Sequence, residues 1–194
     1  MQSALILENI GKQIDLQAEE VDFFVSLLKG KQVKRKEYLL QEGEICTHSI
    51  FVNAGCLSGY TIDQNGSEHI LQFAPSGWWI ADMYSMLTRQ PGELNIEALE
   101  DTEVLLLHVD DREELLLKVP KFERFFLTMV EDFMVTFRQR LMGNLGLPAR
   151  DRYLLFCSRY PTLIEKLPQK QIAAYIGVTP EFLSEIQTEM LRKQ

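Results

Sequence analysis

The sequence predicts an α+β chain: an N-terminal double-stranded β-helix (jelly roll) with flanking helices, a long dimerisation helix, and a small C-terminal helix-turn-helix domain. Three observations carry this. Short alternating runs broken by turn residues fill residues 31 to 109, a helical period returns over 120–145, and a helix–Gly–helix pattern closes the chain. The expected boundaries are 1–119 for the roll, 120–147 for the long helix and hinge, and 148–194 for the tail domain.

Length and composition bound the problem before any motif is read. The chain has 194 residues, a hydrophobic fraction of 46% and a charged fraction of 25%, values of an ordinary globular protein. Lys plus Arg is 20 against 28 for Asp plus Glu, a net charge of −8 that excludes a nucleic-acid coat protein. The charge is uneven. Residues 148–194 carry 7 Lys/Arg against 5 Asp/Glu, leaving 13 against 23 for residues 1–147. An acidic body with a mildly basic tail suggests two parts with different partners. Met1-Gln2-Ser3-Ala4-Leu5 lacks the cationic lead-in of a signal peptide, and no apolar run approaches a membrane span. Cys46, Cys56 and Cys157 are an odd, scattered set, so neither a disulfide scaffold nor a metal cluster is expected, and a cytoplasmic location is the economical reading.

The elements follow in order. Val21, Phe24, Val25 and Leu28 fall at i, i+3, i+4 and i+7, which predicts a helix over 17–28. Strands are expected at 38–40, 49–52, 59–62, 69–73, 94–98 and 104–107, where β-favouring runs lie between turn signals. Asn65-Gly66 between two such runs predicts a hairpin with a type I′ turn. Asp110 fits the N-cap of a short helix bearing Leu115, Leu116 and Leu117. Pro120 fits the first turn of the long one. Phe122, Phe126, Met129, Phe133, Phe137, Leu141 and Leu145 then repeat at three- and four-residue steps, widened by Phe125, Val130 and Met134. A helix over 120–145 is about 39 Å long. A face so broad needs cover, and its own β domain on one side with a second copy of the chain on the other is the simplest arrangement; the alternative is a core helix covered within one chain. Phe126, Met129, Phe133, Phe137 and Leu141 are the expected interface. Gly143, Gly146 and Pro148 mark a hinge, and helices are expected at 149–159, 168–176 and 180–192.

Residues 169–187 carry the functional signal. Ile172, Ile176, Val178, Leu183 and Ile186 form an apolar set, Ala173 is small where two helices would cross, and Gly177 falls where φ must be positive. Thr179 can cap the second helix and Pro180 suits its first position. This is helix-turn-helix spacing, whose second helix lies in a major groove. A plain αα-hairpin is the alternative.

With these residues in view, the chain resembles the Crp/Fnr superfamily of bacterial transcription regulators, in wording close to members from Bacteroidetes. The resemblance rests on Glu42-Gly43-Glu44, Gly55, the 96–101 segment Ile-Glu-Ala-Leu-Glu-Asp, Pro120 to Phe126, Arg150 to Tyr153, and Pro168 to Ala173 leading into Gly177 to Glu181. It implies a homodimer, a cyclic-nucleotide-binding-type roll, and control of transcription through double-stranded DNA. It also implies RNA polymerase as a further partner, with no membrane association.

Two departures qualify what the resemblance implies. Nucleotide-binding members carry Gly-Glu near a short helix and Arg-Ser or Arg-Thr soon after. Here Ala81-Asp82 and Gly92-Glu93 stand there, so the phosphate lacks its arginine and Glu93 would repel it. The expected pocket is Trp79, Ala81, Asp82, Met83, Tyr84, Gly92 and Glu93, with cyclic nucleotides disfavoured, no cofactor, and the roll either empty or holding another small effector. In the recognition helix, Glu185 and Gln187 replace the usual arginines. The expected DNA-facing set is Lys170, Thr179, Pro180, Glu181, Ser184, Glu185, Gln187, Arg192 and Lys193, with Arg150 and Arg152 as further phosphate contacts. Glu can accept from cytosine N4, and Gln can pair with adenine.

Two other classes compete. One is a small-molecule sensor or protein-interaction module that has lost specific DNA binding. The other is a cupin-like metalloenzyme. It needs two or three converging His, but only His48, His69 and His108 exist, without an HxH pair. No GxSxG, HExxH or P-loop occurs, so no enzyme is expected.

Overall fold

Strand alternation decides which side of the roll each residue covers. A computed structural model describes residues 3–192. Its elements run α1 (Ala4–Gly11), α2 (Ala18–Ser26), β1 (Leu28–Val33), β2 (Tyr38–Leu40), β3 (His48–Ala54), β4 (Cys56–Ile62), β5 (Glu68–Pro75), β6 (Trp79–Ile80), α3 (Met83–Thr88), β7 (Asn95–Ala98), β8 (Thr102–His108), α4 (Val109–Lys118), α5 (Lys121–Gly146), α6 (Ala149–Arg159), α7 (Gln169–Ile176) and α8 (Pro180–Arg192). They divide into two compact units. Among the described residues, the first holds 3–61 and 71–130; the second holds the hairpin tip 62–70 and residues 131–192. The long helix therefore contributes to both.

In the first unit two four-stranded sheets, ordered β1-β8-β3-β6 and β2-β7-β4-β5, form the roll. β3 and β8 pair antiparallel with Ile50 opposite Leu106, Phe51 opposite Leu105 and Val52 opposite Val104. Successive side chains point to opposite faces. Ile50, Val52 and Val104 therefore enter the roll interior with Val33, Leu40, Leu57, Ile80, Met86 and Ile96. Phe51, Leu105 and Leu107 face outward onto a second core of Ile6, Ile10, Phe24, Leu115, Phe122, Phe125 and Phe126. The continuous apolar run of β8 is explained: both of its faces are covered.

Several expectations change here. Leu28 opens β1 and does not close a helix, and β1 pairs along its length with β8. The short β6 and helix α1 were not anticipated. The hairpin forms, but with a different turn. Gly66 has φ 78°, whereas Asn65 is not among the positive-φ residues. Gly66 N–H donates to the Asp63 carbonyl (2.9 Å), Asp63 N–H donates to Ser67 O (3.0 Å), and Asp63 Oδ1 accepts from Asn65 and Ser67 N–H. This is the longer turn-plus-bulge loop, selected because the Asp63 carboxylate organises it. His108, not Asp110, caps α4: its Nδ1 accepts from Asp110 N–H at 3.2 Å. Gly143 and Gly146 lie inside α5, so the chain turns only at Leu147-Pro148.

In the second unit α6, α7 and α8 enclose Tyr153, Phe156, Tyr160, Leu163, Ile172, Tyr175, Ile176, Leu183 and Ile186, all buried. Gly177 has φ 73° and takes the left-handed position after α7, where its N–H donates to Ala173 O. Thr179 Oγ1 accepts from Phe182 N–H at 3.3 Å, so it caps α8 as its sequence position suggests.

Candidate functional site

Two places bear on function: the α3 corner of the roll and the outward face of α7–α8. At the first, Asp82 is the N-cap of α3, its Oδ1 accepting from Ser85 N–H at 3.0 Å. Ser85 Oγ accepts from Cys46 N–H (2.9 Å) and donates to Gln90 O (2.6 Å). Gly43 N–H donates to Gly92 O, and Gly92 N–H donates to Glu44 O. One serine and one aspartate thus tie three segments together, and both are buried. A Cβ on Gly92 would overlap the Asp82 carboxylate and lie 3.0 Å from Ser85 Cβ, so the glycine is required by close approach. The corner is filled by a buried acid.

Of the predicted pocket residues, Ala81, Asp82, Met83 and Gly92 are brought to this corner or the adjoining roll core. Trp79 is not. It faces the helical core, with its ring 5.2 Å from Phe51 and 6.2 Å from Phe125, and Nε1 donates to Asn9 Oδ1. Alternation on β6 sends Ile80 inward and Trp79 outward. Tyr84 and Glu93 are exposed. Arg89, at the left-handed end of α3, reaches Asp110 (2.8 Å) and Glu113 (3.8 Å). Serine 85, missed in the sequence, is the hub; its small side chain gives no periodic signal.

The histidines do not converge as a metal site requires. His48 lies across from His108 with ring centroids 4.9 Å apart, while His69 bonds Asp63 at the hairpin tip, 2.9 Å away. Burial, then the neighbouring His108, push the His48 pKa below its ordinary value. No cluster of three metal-ligating side chains occurs among the described residues.

On the helix-turn-helix, Glu181, Ser184, Glu185 and Arg192 are exposed along α8, together with Thr188 and Glu189. Gln187 is not available there. Its Nε2 donates to Tyr153 OH and its Oε1 accepts from Gln169 Nε2, both at 2.9 Å, so it pins α8 to its own domain. Thr179 and Pro180 sit at the start of α8, the threonine engaged as cap. Lys170 is exposed and 3.6 Å from Glu68. Arg150 is exposed, whereas Arg152 reaches back to Gly177 O at 3.5 Å. Lys193 lies outside the described residues.

On α5, Phe126 is buried in the first unit's own core beneath the Arg112 guanidinium (4.8 Å), and Met129 packs against that core. Phe126 is therefore not free to serve as expected, whereas Met129 is only partly covered. Phe133, Phe137 and Leu141 are about half exposed, at 48%, 47% and 48%. Leu127, Val130, Met134, Phe137 and Leu141, all exposed, are spaced 3-4-3-4, the repeat of a two-helix seam.

Residues 30–118 match the family model described as the cyclic nucleotide-binding domain. Solved structures of similar architecture include the c-di-GMP responsive global regulator CLP of Xanthomonas campestris, with a TM-score of 0.72 at 12% identity, covering 91% of this chain and 93% of that one. FixK2 from Bradyrhizobium japonicum gives 0.74 at 19%, covering 86% and 85%. A protein from Eubacterium rectale described as a transcriptional regulator of the crp/fnr family gives 0.69 at 15%, covering 92% and 85%. The fold is that of the Crp/Fnr regulators. Comparison with the curated proteins finds no match.

Proposed function

We propose that the chain is a homodimeric, sequence-specific DNA-binding transcription regulator whose roll does not take cyclic nucleotides. The helix-turn-helix supports the first part. A buried core of Ile172, Ile176, Leu183 and Ile186 between α7 and α8 leaves Glu181, Ser184, Glu185 and Thr188 on one open face, as a groove-reading helix requires. The exposed 3-4-3-4 stripe on α5 supports pairing of two copies, which would present two such faces. The phosphate position, where Gly92-Glu93 stands with no arginine, supports exclusion of a cyclic phosphate, since the counter-charge for that anion is absent. RNA polymerase is the expected further partner of such a regulator.

Glu185 sets the expected preference: as an acceptor it favours a cytosine N4 amine, worth about 1–3 kcal/mol against another base. Anisotropy measured on its own upstream region, at several salt concentrations, tests the reading. Glu185→Arg should change which sequence binds, and not merely tighten binding everywhere. Weak binding that ignores sequence at physiological salt would sink the proposal, because that is the phosphate contribution alone.

A second reading draws on a specific feature. Glu181, Glu185 and Glu189 stand at i, i+4 and i+8 on the exposed side of α8, and such an acidic ridge opposes DNA. In that case the domain binds a protein, and no footprint appears on any duplex.

A further inference from the structure

One arginine joins the hairpin tip to the helix-turn-helix, and it is not among the DNA-facing residues. Arg140 lies on α5, and its Nη2 donates both to the Ile70 carbonyl and to the Tyr175 carbonyl, the latter at 2.8 Å. Its guanidinium carbon sits 3.9 Å from the centre of the Tyr175 ring. Tyr175 is in the last turn of α7, where carbonyls lack an intrahelical partner and a cation is favoured. Arg140 therefore caps α7 from another helix while holding the hairpin backbone with the same nitrogen. Near the other end of α7, Lys170 meets Glu68 at 3.6 Å. Glu68 and Ile70 are two residues apart on β5, and so on one face of the strand; Lys170 and Tyr175 are about 7.5 Å apart along the helix. The tip thus runs along α7 with a contact at each end, all within the second compact unit.

We propose that the hairpin tip 62–70 is a built-in clamp on the first helix of the helix-turn-helix, that Arg140 is its positioning residue, and that the clamp withholds Lys170 from DNA. The partner that competes with it is a backbone phosphate, the ligand an exposed lysine at this place would take. Only this last step rests on the DNA-binding reading; the clamp itself does not.

Hydrogen exchange on the full chain tests the clamp without DNA. Arg140→Gln should speed exchange of the 63–70 amides and of 175–178 together, by about tenfold, the scale of a lost charge-assisted bond. Arg140→Lys, which keeps the cation but cannot lie flat on the tyrosine, should restore part of that protection in both segments. Faster exchange in α7 alone would show a helix cap and overturn the clamp. Glu68→Gln removes one surface carboxylate and decides the matter if Arg140→Gln unfolds the unit. It should loosen the 63–70 amides measurably, and unchanged hairpin exchange in this variant overturns the clamp. On a duplex from the upstream region, Glu68→Gln should bind about two- to fivefold tighter, the range of an exposed ion pair, and the gain should vanish in a Lys170→Gln background. Unchanged or weaker binding overturns the withholding of Lys170. If no variant binds any duplex, the DNA-binding reading fails and the exchange results still judge the clamp.

Discussion

Single side chains decide how the α3 corner of the roll packs. Asp82 and Gly92 are in such close approach that one constrains the other. Gly92→Ala should lower stability by about 1–3 kcal/mol, the cost of forcing atoms into a packed site. In an Asp82→Ala background the loss should be much smaller, and a denaturant double-mutant cycle measures the difference. His48 supplies a pH signature. Its folded pKa lies below its unfolded value, because burial, His108 and Lys29 disfavour the imidazolium, Asp111 opposing them. The unfolded chain therefore binds more protons in the window just below the ordinary histidine pKa. Stability should fall as pH drops through about 6.5 and level off below the folded value. His48→Gln should flatten that part of a stability–pH curve. A slope that persists in the variant would assign the effect elsewhere.

At the scale of elements, α5 shows how far the sequence reaches. Its span, its apolar repeat and its ending before Pro148 are legible from three- and four-residue spacing. Which part of the stripe is covered within the chain is not. Phe126 and Phe133 look alike in sequence, but Phe126 falls where α4 and the outer face of β3 and β8 close over it, whereas Phe133 lies beyond them. The same limit explains Trp79 and Gln187. Alternation gives two faces for a strand, and only the packed sheet says which is inside. A glutamine on a recognition helix reads as a base contact until Tyr153 and Gln169 are seen to hold it. The strands of strong alternation and the turn at Gly177 were readable because period and backbone geometry are local; α1 and β6 were not, being short and dependent on distant partners. Phe137→Glu should convert a dimer to a monomer in sedimentation or light scattering while leaving the fold intact, since its ring is half exposed. A monomeric parent would remove the basis for that expectation.

For the whole molecule, the prediction concerns ligands. A protein that binds cyclic AMP or cyclic GMP gains stability with ligand concentration, about 2.7 kcal/mol at a hundredfold excess over Kd. With no arginine at the Gly92-Glu93 position, neither nucleotide should move the melting temperature at millimolar concentration. A shift that Asp82→Ala abolishes would overturn the exclusion. The pairing of β1 with β8 has a consequence of its own. Leu28 meets Leu107 and Val33 meets Thr102, so the first strand waits for a partner made some seventy residues later. During synthesis, every chain shorter than about 108 residues leaves both β1 and β3 with bare hydrogen-bonding edges, the kind that stick to neighbours. Early termination should therefore yield aggregates rather than a smaller soluble roll, and even a chain ending at His108 still lacks the helices that cover Phe51, Leu105 and Leu107.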